Sequence, residues 1–545
     1  MQLNNTNTLV NNFLWPIILF VFGMSMVIYQ TLGFDLSVMP GDLGDGRFNS
    51  YILEHGYQYL IQDNLPYWNA PFFFPEKDVI SYSDNLFGAL PIYVLCRFWT
   101  DRETAFQLWY LILIGLNFWG SYYAIRKLNF SVYASSVGAF IYTFSLIIAI
   151  QTAHIQMLPR FTAPFAIVSF YLWLHQKNNN YFYIAIFLLA YQYYCGVYLG
   201  YFLLYIYIII AAIYFVKEQK VDVLLQLVNT KSAAIRTTIV LFGALCLMAI
   251  FFYPYYLRSL DGGGYPSFSD IKYYSPRLWS YFYVHERSVL WGWSSVFIDS
   301  AFNLSGNGSD KSCIFIGALP YVFLVAAYVM YRRDGLLKFF LIALLAIFLF
   351  TLIFFDISLY AFIIYLIPGA RAIRAVSRFI TIAIFLWSII AAFFLDRFLS
   401  NLNTYKIVLI FALPLLLVLD NMYLTKPIPA LKSNFQKRSR MVVEKYEKLK
   451  HTNPGAKAFA LNLSNTAVDD HKYNKRRVHF HLDAMMASLV IGLPCVNGYS
   501  AKTPPDYLEY FLSPNKKNLD AWLQSDRVRI TVKEKYKQED ILILE

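Results

Sequence analysis

Phe13-Leu-Trp-Pro-Ile-Ile-Leu-Phe-Val-Phe-Gly-Met-Ser-Met-Val-Ile-Tyr-Gln-Thr-Leu32 runs for twenty residues without a charged side chain. Coiled as a helix with a rise of about 1.5 Å per residue, it reaches across a hydrocarbon core of roughly 30 Å, so lipid and not water surrounds this part of the chain. A polar, uncharged, Asn-rich tail precedes it, where a removable signal peptide would have a basic start, a shorter apolar run and a small-residue cleavage site. The stretch reads as a retained anchor.

Further apolar blocks follow at residues 105–125, 132–150, 161–174, 181–194, 197–216, 237–255, 313–330, 337–355, 376–395 and 407–419. With the first they make about eleven spans. Composition agrees: of 545 residues 58% are hydrophobic, 19% aromatic and only 15% charged, against roughly 25% charged in ordinary soluble domains. The expected fold class is an α-helical polytopic membrane protein. Basic residues mark every second connection, at Arg126-Lys127, Lys177, Lys217 with Lys220 and Lys231, Arg332-Arg333 with Lys338, and Arg397 with Lys406. Such loops stay in the cytoplasm, which puts the N-terminus inside and the loops at 34–103 and 256–312 outside, along with everything after residue 420. Basic loops and a membrane-facing C-terminal domain account for the net charge of +12 better than nucleic acid does. The five cysteines (Cys96, Cys195, Cys246, Cys313 and Cys495) show no CxxC spacing, so they form neither a zinc motif nor a disulfide framework.

Just beyond the anchor comes Met39-Pro-Gly-Asp-Leu-Gly-Asp-Gly-Arg-Phe-Asn-Ser-Tyr-Ile-Leu-Glu-His55. Gly41, Gly44 and Gly46 permit tight or left-handed turns, so the short side chains of Asp42 and Asp45 can be aimed at one point. An acidic turn that merely caps the following helix is the competing reading. Tyr57, Tyr59, Tyr67-Trp68 and Pro71-Phe-Phe-Phe-Pro75 stud the rest of this loop, as interfacial helices covering the acidic turn would. Residues 86–99, with Pro91, are too short for a span and read as interfacial or re-entrant.

Two outer stretches suit an anion. In Ile367-Pro-Gly-Ala-Arg-Ala-Ile-Arg-Ala-Val-Ser-Arg-Phe379, Arg371, Arg374 and Arg378 recur at i, i+3 and i+7, one face of a helix. Forked guanidinium donors fit a phosphate, although arginines at a helix end also anchor to headgroups. His154 and Arg160 share the short outer turn at 151–160. The long loop carries Asp261-Gly-Gly-Gly264, Tyr273-Tyr274, Trp279 and Trp291-Gly-Trp293, whose rings stack on sugars or rest at headgroups and whose glycines permit a lid. Its sequons at Asn303 and Asn307 matter only in a eukaryotic secretory setting. Residues 421–545 carry 21 Lys and Arg against 13 Asp and Glu and read as a small extracytoplasmic α/β domain. Helices are expected at 441–449 and 483–491, strands at 456–461 and 527–532, and a turn at Asn497-Gly498.

An outward carboxylate pair, an arginine stripe and an aromatic vestibule fit an enzyme that takes a sugar from a polyprenyl phosphate. A carboxylate would accept the proton of the acceptor hydroxyl as its oxygen attacks C1, and arginines would stabilise the departing phosphate. A flippase or transporter of lipid-linked saccharides and a non-catalytic membrane scaffold are the alternatives; no inverted internal repeat favours the transporter, and a scaffold would leave Asp42 and Asp45 facing away from any cavity.

Gly41-Asp-Leu-Gly-Asp45, Tyr51 to His55, Tyr82-Ser-Asp-Asn-Leu-Phe-Gly88, residues 120–128, His154-Ile-Gln156, Ile367-Pro-Gly369 with Arg371 to Arg378, and Asn497-Gly-Tyr-Ser500 together resemble the GT-C superfamily of polytopic glycosyltransferases. The resemblance is in particular to bacterial members that modify surface polysaccharides or the cell envelope. The resemblance spans nearly the whole chain through short motifs. It implies a transferase of the bacterial inner membrane with a polyprenyl-phosphate sugar donor, a glycan or glycolipid acceptor, an inverting outcome and a periplasmic C-terminal domain. Carried over, it gives Asp45 and then Asp42 as catalytic; Arg371, Arg374, Arg378 and Arg160 are expected at the donor phosphate, and Glu54, His55, Asp84, His154, Gln156 and Tyr499 around the substrate. Some members use a divalent metal, magnesium or manganese, and others none; no other cofactor is implied.

Overall fold

The computed structural model describes residues 3–62, 65–150, 154–219, 221–260, 266–302, 313–354, 357–401, 406–424, 430–463, 467–531 and 536–545. The chain is mostly helical. It opens with α1 (Leu3–Val27), extended by a π-helical turn at Ile28–Leu32. The first loop holds α2 (Asp45–Ile61) and α3 (Leu90–Trp99). Then come α4 (Arg102–Arg126), α5 (Val132–Phe144), α6 (Leu146–Ile150), α7 (Ala163–Gln176), α8 (Asn179–Cys195), α9 (Val197–Glu218), α10 (Asp222–Leu225) and α11 (Lys231–Leu260). The long loop contributes α12 (Phe268–Tyr273) and α13 (Ser295–Phe302), followed by α14 (Ala318–Tyr331) and α15 (Gly335–Thr351). A hairpin, β1 (Ile353–Phe354) and β2 (Ile357–Ser358), leads to α16 (Tyr360–Leu366), α17 (Ile380–Asn401) and α18 (Lys406–Asn421).

Five helical stretches among the described residues are long and apolar enough to cross a membrane: Leu14–Leu32, Arg102–Arg126, Val197–Glu218, Lys231–Leu260 and Val376–Ser400. The other apolar blocks form shorter helices, so the helices do not reproduce a count of eleven full spans. At about 1.5 Å per residue, the 14 residues of α7 rise only about 21 Å, less than the hydrocarbon core. The block at 132–150 is divided at Ser145, whose ψ of 148° ends α5. The stretch ending in α17 is 94% buried, whereas the 30-residue α11 is 11% buried; α17 is the centre of the bundle and α11 its apolar rim. Close packing of α5 on α17 depends on Gly138, where a side-chain carbon would come within 2.9 Å of the Ser388 carbonyl oxygen.

The C-terminal part comprises α19 (Lys432–Leu449), β3 (Ala458–Leu461), α20 (Ala467–Ile491), α21 (Leu508–Leu512), α22 (Lys516–Leu523), α23 (Asp526–Thr531) and β4 (Ile541–Leu544). The expected helices at 441–449 and 483–491 lie within α19 and α20, and the strand near 456–461 is β3. Of the strand expected at 527–532, the described residues to Thr531 are helical instead: Ser525 Oγ accepts the Val528 N–H at 3.3 Å, and α23 starts there. The partner of β3 is β4, paired parallel with Ala458 opposite Ile541, so the α/β character rests on two short strands. Phe48, Tyr51, Ile52, Phe72, Phe73 and Val79 of the first loop share one apolar core with Phe459, Met485, Tyr507 and Trp522. The boundary at residue 420 therefore divides the sequence but not this core: the first loop and the C-terminal residues form one layer.

Candidate functional site

Asp42 closes the entry to α2. Its Oδ1 accepts the N–H groups of Gly44 at 3.1 Å and Gly46 at 2.9 Å, and its carbonyl accepts that of Arg47 at 3.1 Å. These are the otherwise unpaired donors of a helix start. Gly41 takes a φ of +91°, which side chains resist. Of the two readings of the acidic turn, capping belongs to Asp42.

Asp45, the first residue of α2, faces the other way. Its side chain is 33% exposed and lies 3.3 Å from His154 Nδ1 through Oδ2, while Oδ1 accepts the Tyr499 hydroxyl at 2.6 Å. His154 Nε2 is 3.0 Å from Arg378 Nη2. Arginine only donates, so Nε2 is the acceptor and the ring proton sits on Nδ1, towards Asp45. Burial raises the Asp45 carboxyl, but the adjoining His154 ring, the hydrogen bond from Tyr499 and the charge of Arg378 outweigh it and hold the group below its ordinary value of 3.8. Asn49 ties the pieces together, giving its Nδ2 to the Asp45 carbonyl at 2.7 Å and to Gln156 Oε1 at 3.1 Å.

The arginine segment is not one helix. A 3-10 turn at Ala370–Ala372 and another at Val376–Phe379 are separated by extended backbone at Ile373 and non-helical backbone at Ala375, so the expected helical stripe is broken. Tertiary contacts hold this shape: the Ser377 N–H reaches the Tyr274 carbonyl at 3.1 Å, and the Arg374 N–H reaches the Tyr198 hydroxyl at 2.9 Å. Arg374 lies over the Tyr274 ring at 4.9 Å and Arg378 over the Tyr198 ring at 5.8 Å. Arg374 and Arg378 still reach the same region, for Arg374 is a charged neighbour of Tyr499 and Arg378 of both Asp45 and Asp84. Arg371 is exposed on the first turn. Asp84 Oδ1 accepts the Val197 N–H at 2.8 Å, at the start of α9. Burial raises its carboxyl, against the lowering effect of that bond and of Arg378.

Three expected substrate ligands are committed elsewhere. Arg160 is fully buried, its Nη1 bonded to the Thr381 carbonyl at 2.6 Å and its Nη2 to the Tyr142 carbonyl at 2.7 Å; it joins α5 to α17 and is not a phosphate ligand. Glu54 accepts Arg97 Nε at 2.9 Å and the Tyr93 hydroxyl at 2.6 Å, fastening α2 to α3. His55 is buried with Nε2 against the Tyr67 carbonyl at 2.7 Å; ten residues along α2 from Asp45, it lies about 15 Å away. Sequence reasoning missed Asn49 and Tyr198 and read Tyr274 as a sugar-stacking or headgroup ring; nothing in their spacing distinguishes them from other polar or aromatic residues of the bundle. Asp261 to Gly264 and the sequons at Asn303 and Asn307 lie outside the described residues.

His154 also forms part of the wall of a mainly apolar cleft lined by Val27, Ile114, Phe144, Ile148 and Met157 among others. Among the described residues no group of three His, Cys, Asp or Glu side chains converges as a protein-held metal site requires; a magnesium ion held mainly by substrate phosphates needs no such group. No known protein family matches the chain, and no curated protein sequence matches it either.

Proposed function

We propose that the chain is a membrane glycosyltransferase of the GT-C type, transferring a sugar from a polyprenyl phosphate to a glycan or glycolipid acceptor, with Asp45 as general base. The observation that carries this reading is the Asp45–His154–Arg378 chain: a part-exposed, ionised carboxylate linked through one imidazole to a guanidinium, beside an apolar cleft. Asp45 would take the proton of the acceptor hydroxyl while its oxygen bonds to C1. The bond from C1 to the phosphate oxygen breaks as that oxygen leaves with the electron pair, stabilised by Arg378 and Arg374. Inversion at C1 follows from a single displacement. The cleft would hold the first part of the lipid chain. In this reading all eleven apolar blocks are embedded in a bacterial inner membrane, the N-terminus is cytoplasmic, and the layer made by the first loop and the C-terminal residues is periplasmic.

The test is transfer of labelled sugar from polyprenyl-phosphate donors in membranes carrying the wild-type chain, Asp45→Asn or Asp42→Asn. Transfer by the wild type and loss in Asp45→Asn, with the protein folded and donor still bound, is the expected result. Normal transfer by Asp45→Asn overturns the site, and a wild type inactive with every donor returns the chain to the flippase or scaffold class.

A further inference from the structure

Residues 495–500 have no regular secondary structure, yet the backbone from Cys495 to Tyr499 is tied to its surroundings at several points. Cys495 gives its N–H to the Pro71 carbonyl at 3.2 Å and accepts that of Phe74 at 3.1 Å; the Val496 N–H meets the Phe459 carbonyl at 2.9 Å. The Val496 carbonyl accepts the Tyr507 hydroxyl at 3.0 Å. The Asn497 side chain mimics a strand neighbour, bonding the N–H and carbonyl of Leu461 at 2.7 and 2.9 Å. The Gly498 N–H reaches His481 Nδ1 at 3.3 Å, and a side-chain carbon at Gly498 would come within 2.1 Å of the Phe73 ring. The Tyr499 ring stands edge-on to Phe48 at 5.8 Å, with its hydroxyl on Asp45.

The other half of that contact is fixed to the same scaffold. Arg47, two residues after Asp45 and fully buried, bonds Asp483 of α20, and Arg438 of α19 grips the same carboxylate at 2.7 and 3.0 Å. Donor and acceptor of the Tyr499–Asp45 bond are therefore each anchored to α20 by separate contacts, as preorganised sites require. We propose that residues 495–500 are a rigid arm completing the site from the C-terminal layer, and that Tyr499 is a positioning residue that fixes the Asp45 carboxylate with Oδ2 towards His154. This rests on the transferase reading of Asp45. Each carboxylate oxygen keeps a lone pair for an incoming hydroxyl.

Tyr499→Phe removes only the hydroxyl. Losing a hydrogen bond to a charged group is expected to lower kcat about 10- to 100-fold, with donor KM nearly unchanged. Because that bond favours the ionised carboxylate, its loss also moves the acid limb of the pH–rate profile upward by about one unit. A purely structural tyrosine would leave that limb in place. A second readout needs no turnover: carbodiimide labelling of Asp45, which requires the protonated carboxyl, followed against pH with Asp45→Asn as blank. Its midpoint is expected to rise in Tyr499→Phe. If the wild type transfers no sugar but the midpoint moves, the transferase reading falls and the positioning role stands. If neither the limb nor the midpoint moves, the positioning role is overturned.

Discussion

A capping carboxylate and a proton-accepting one respond differently to amide substitution, because an amide oxygen caps a helix about as well as a carboxylate but is a far poorer base. Asp42→Asn keeps an acceptor for the Gly44 and Gly46 N–H groups and is expected to transfer within about twofold of wild type. Asp42→Ala is expected to cost about 1 kcal/mol of stability in a detergent melt. Asp45→Asn keeps the fold and is expected to lose about 10²- to 10⁴-fold in rate. Equal losses in the two Asn variants would remove the distinction. The sequence placed both carboxylates in one glycine-rich turn, and local pattern could not separate them. What does so is Tyr499, 454 residues further along the chain, together with His154 from a third segment. The same limit explains Arg160 and His55: a charged residue in a short outer turn or loop helix looks available until the carbonyls that consume it are brought in by folding.

At the scale of elements, the segment from Gly369 to Phe379 shows where periodicity misleads. Arginines at i, i+3 and i+7 fit a helix, but Gly369 takes a φ of +78° with its backbone against the Tyr201 hydroxyl, and the bonds to Tyr274 and Tyr198 hold the following residues in separate turns. Tertiary contacts override a weak local preference. The turns leave Arg374 and Arg378 beside Tyr499 and Asp45, while Arg160 is spent inside the bundle. Gln at 374 or 378 is expected to raise the KM for a polyprenyl-phosphate donor about 10-fold or more, as loss of a charge-assisted bond does. Arg160→Met is expected instead to strand the Tyr142 carbonyl in the last turn of α5, break the tie to α17 and cost about 2–5 kcal/mol in a melt, with donor KM unchanged in the folded fraction. A donor KM that responds to Arg160 and not to Arg374 or Arg378 would reverse these assignments.

For the whole molecule, apolar blocks announced a helical membrane protein, and β3 with its flanking helices was visible in outline. The use of β4 as its partner and the merging of the first loop with the C-terminal residues were not, since the one pairs strands 83 residues apart and the other joins distant ends of the chain. That merged layer has a property of its own. Burial depresses His55 to about 4 and His481 to about 3 from the ordinary 6.5, with carbonyls of Tyr67 and Phe511 opposing the shift only in part. At His481 both ring nitrogens are engaged, Nδ1 accepting from Gly498 and Nε2 facing the Phe511 carbonyl at 3.2 Å, so an added proton on Nδ1 would meet an N–H. Above pH 6.5 the folded and unfolded chains both keep these rings neutral, and the layer has its full stability. As pH falls below 6.5 the unfolded chain takes up protons that the folded layer refuses, so stability drains away down to about pH 4 for His55 and about pH 3 for His481. For His55, the interval from 6.5 to about 4 corresponds to about 3 kcal/mol. The melting temperature in detergent is expected to fall across this window for wild type, and to fall less steeply in His55→Gln and His481→Gln, whose side chains still donate to the same carbonyls but do not titrate. Parallel curves for all three proteins would show that these histidines do not set the acid sensitivity. Because the arm that carries Tyr499 hangs on His481, acid that loosens this layer should also slow sugar transfer in wild type before the membrane bundle itself gives way.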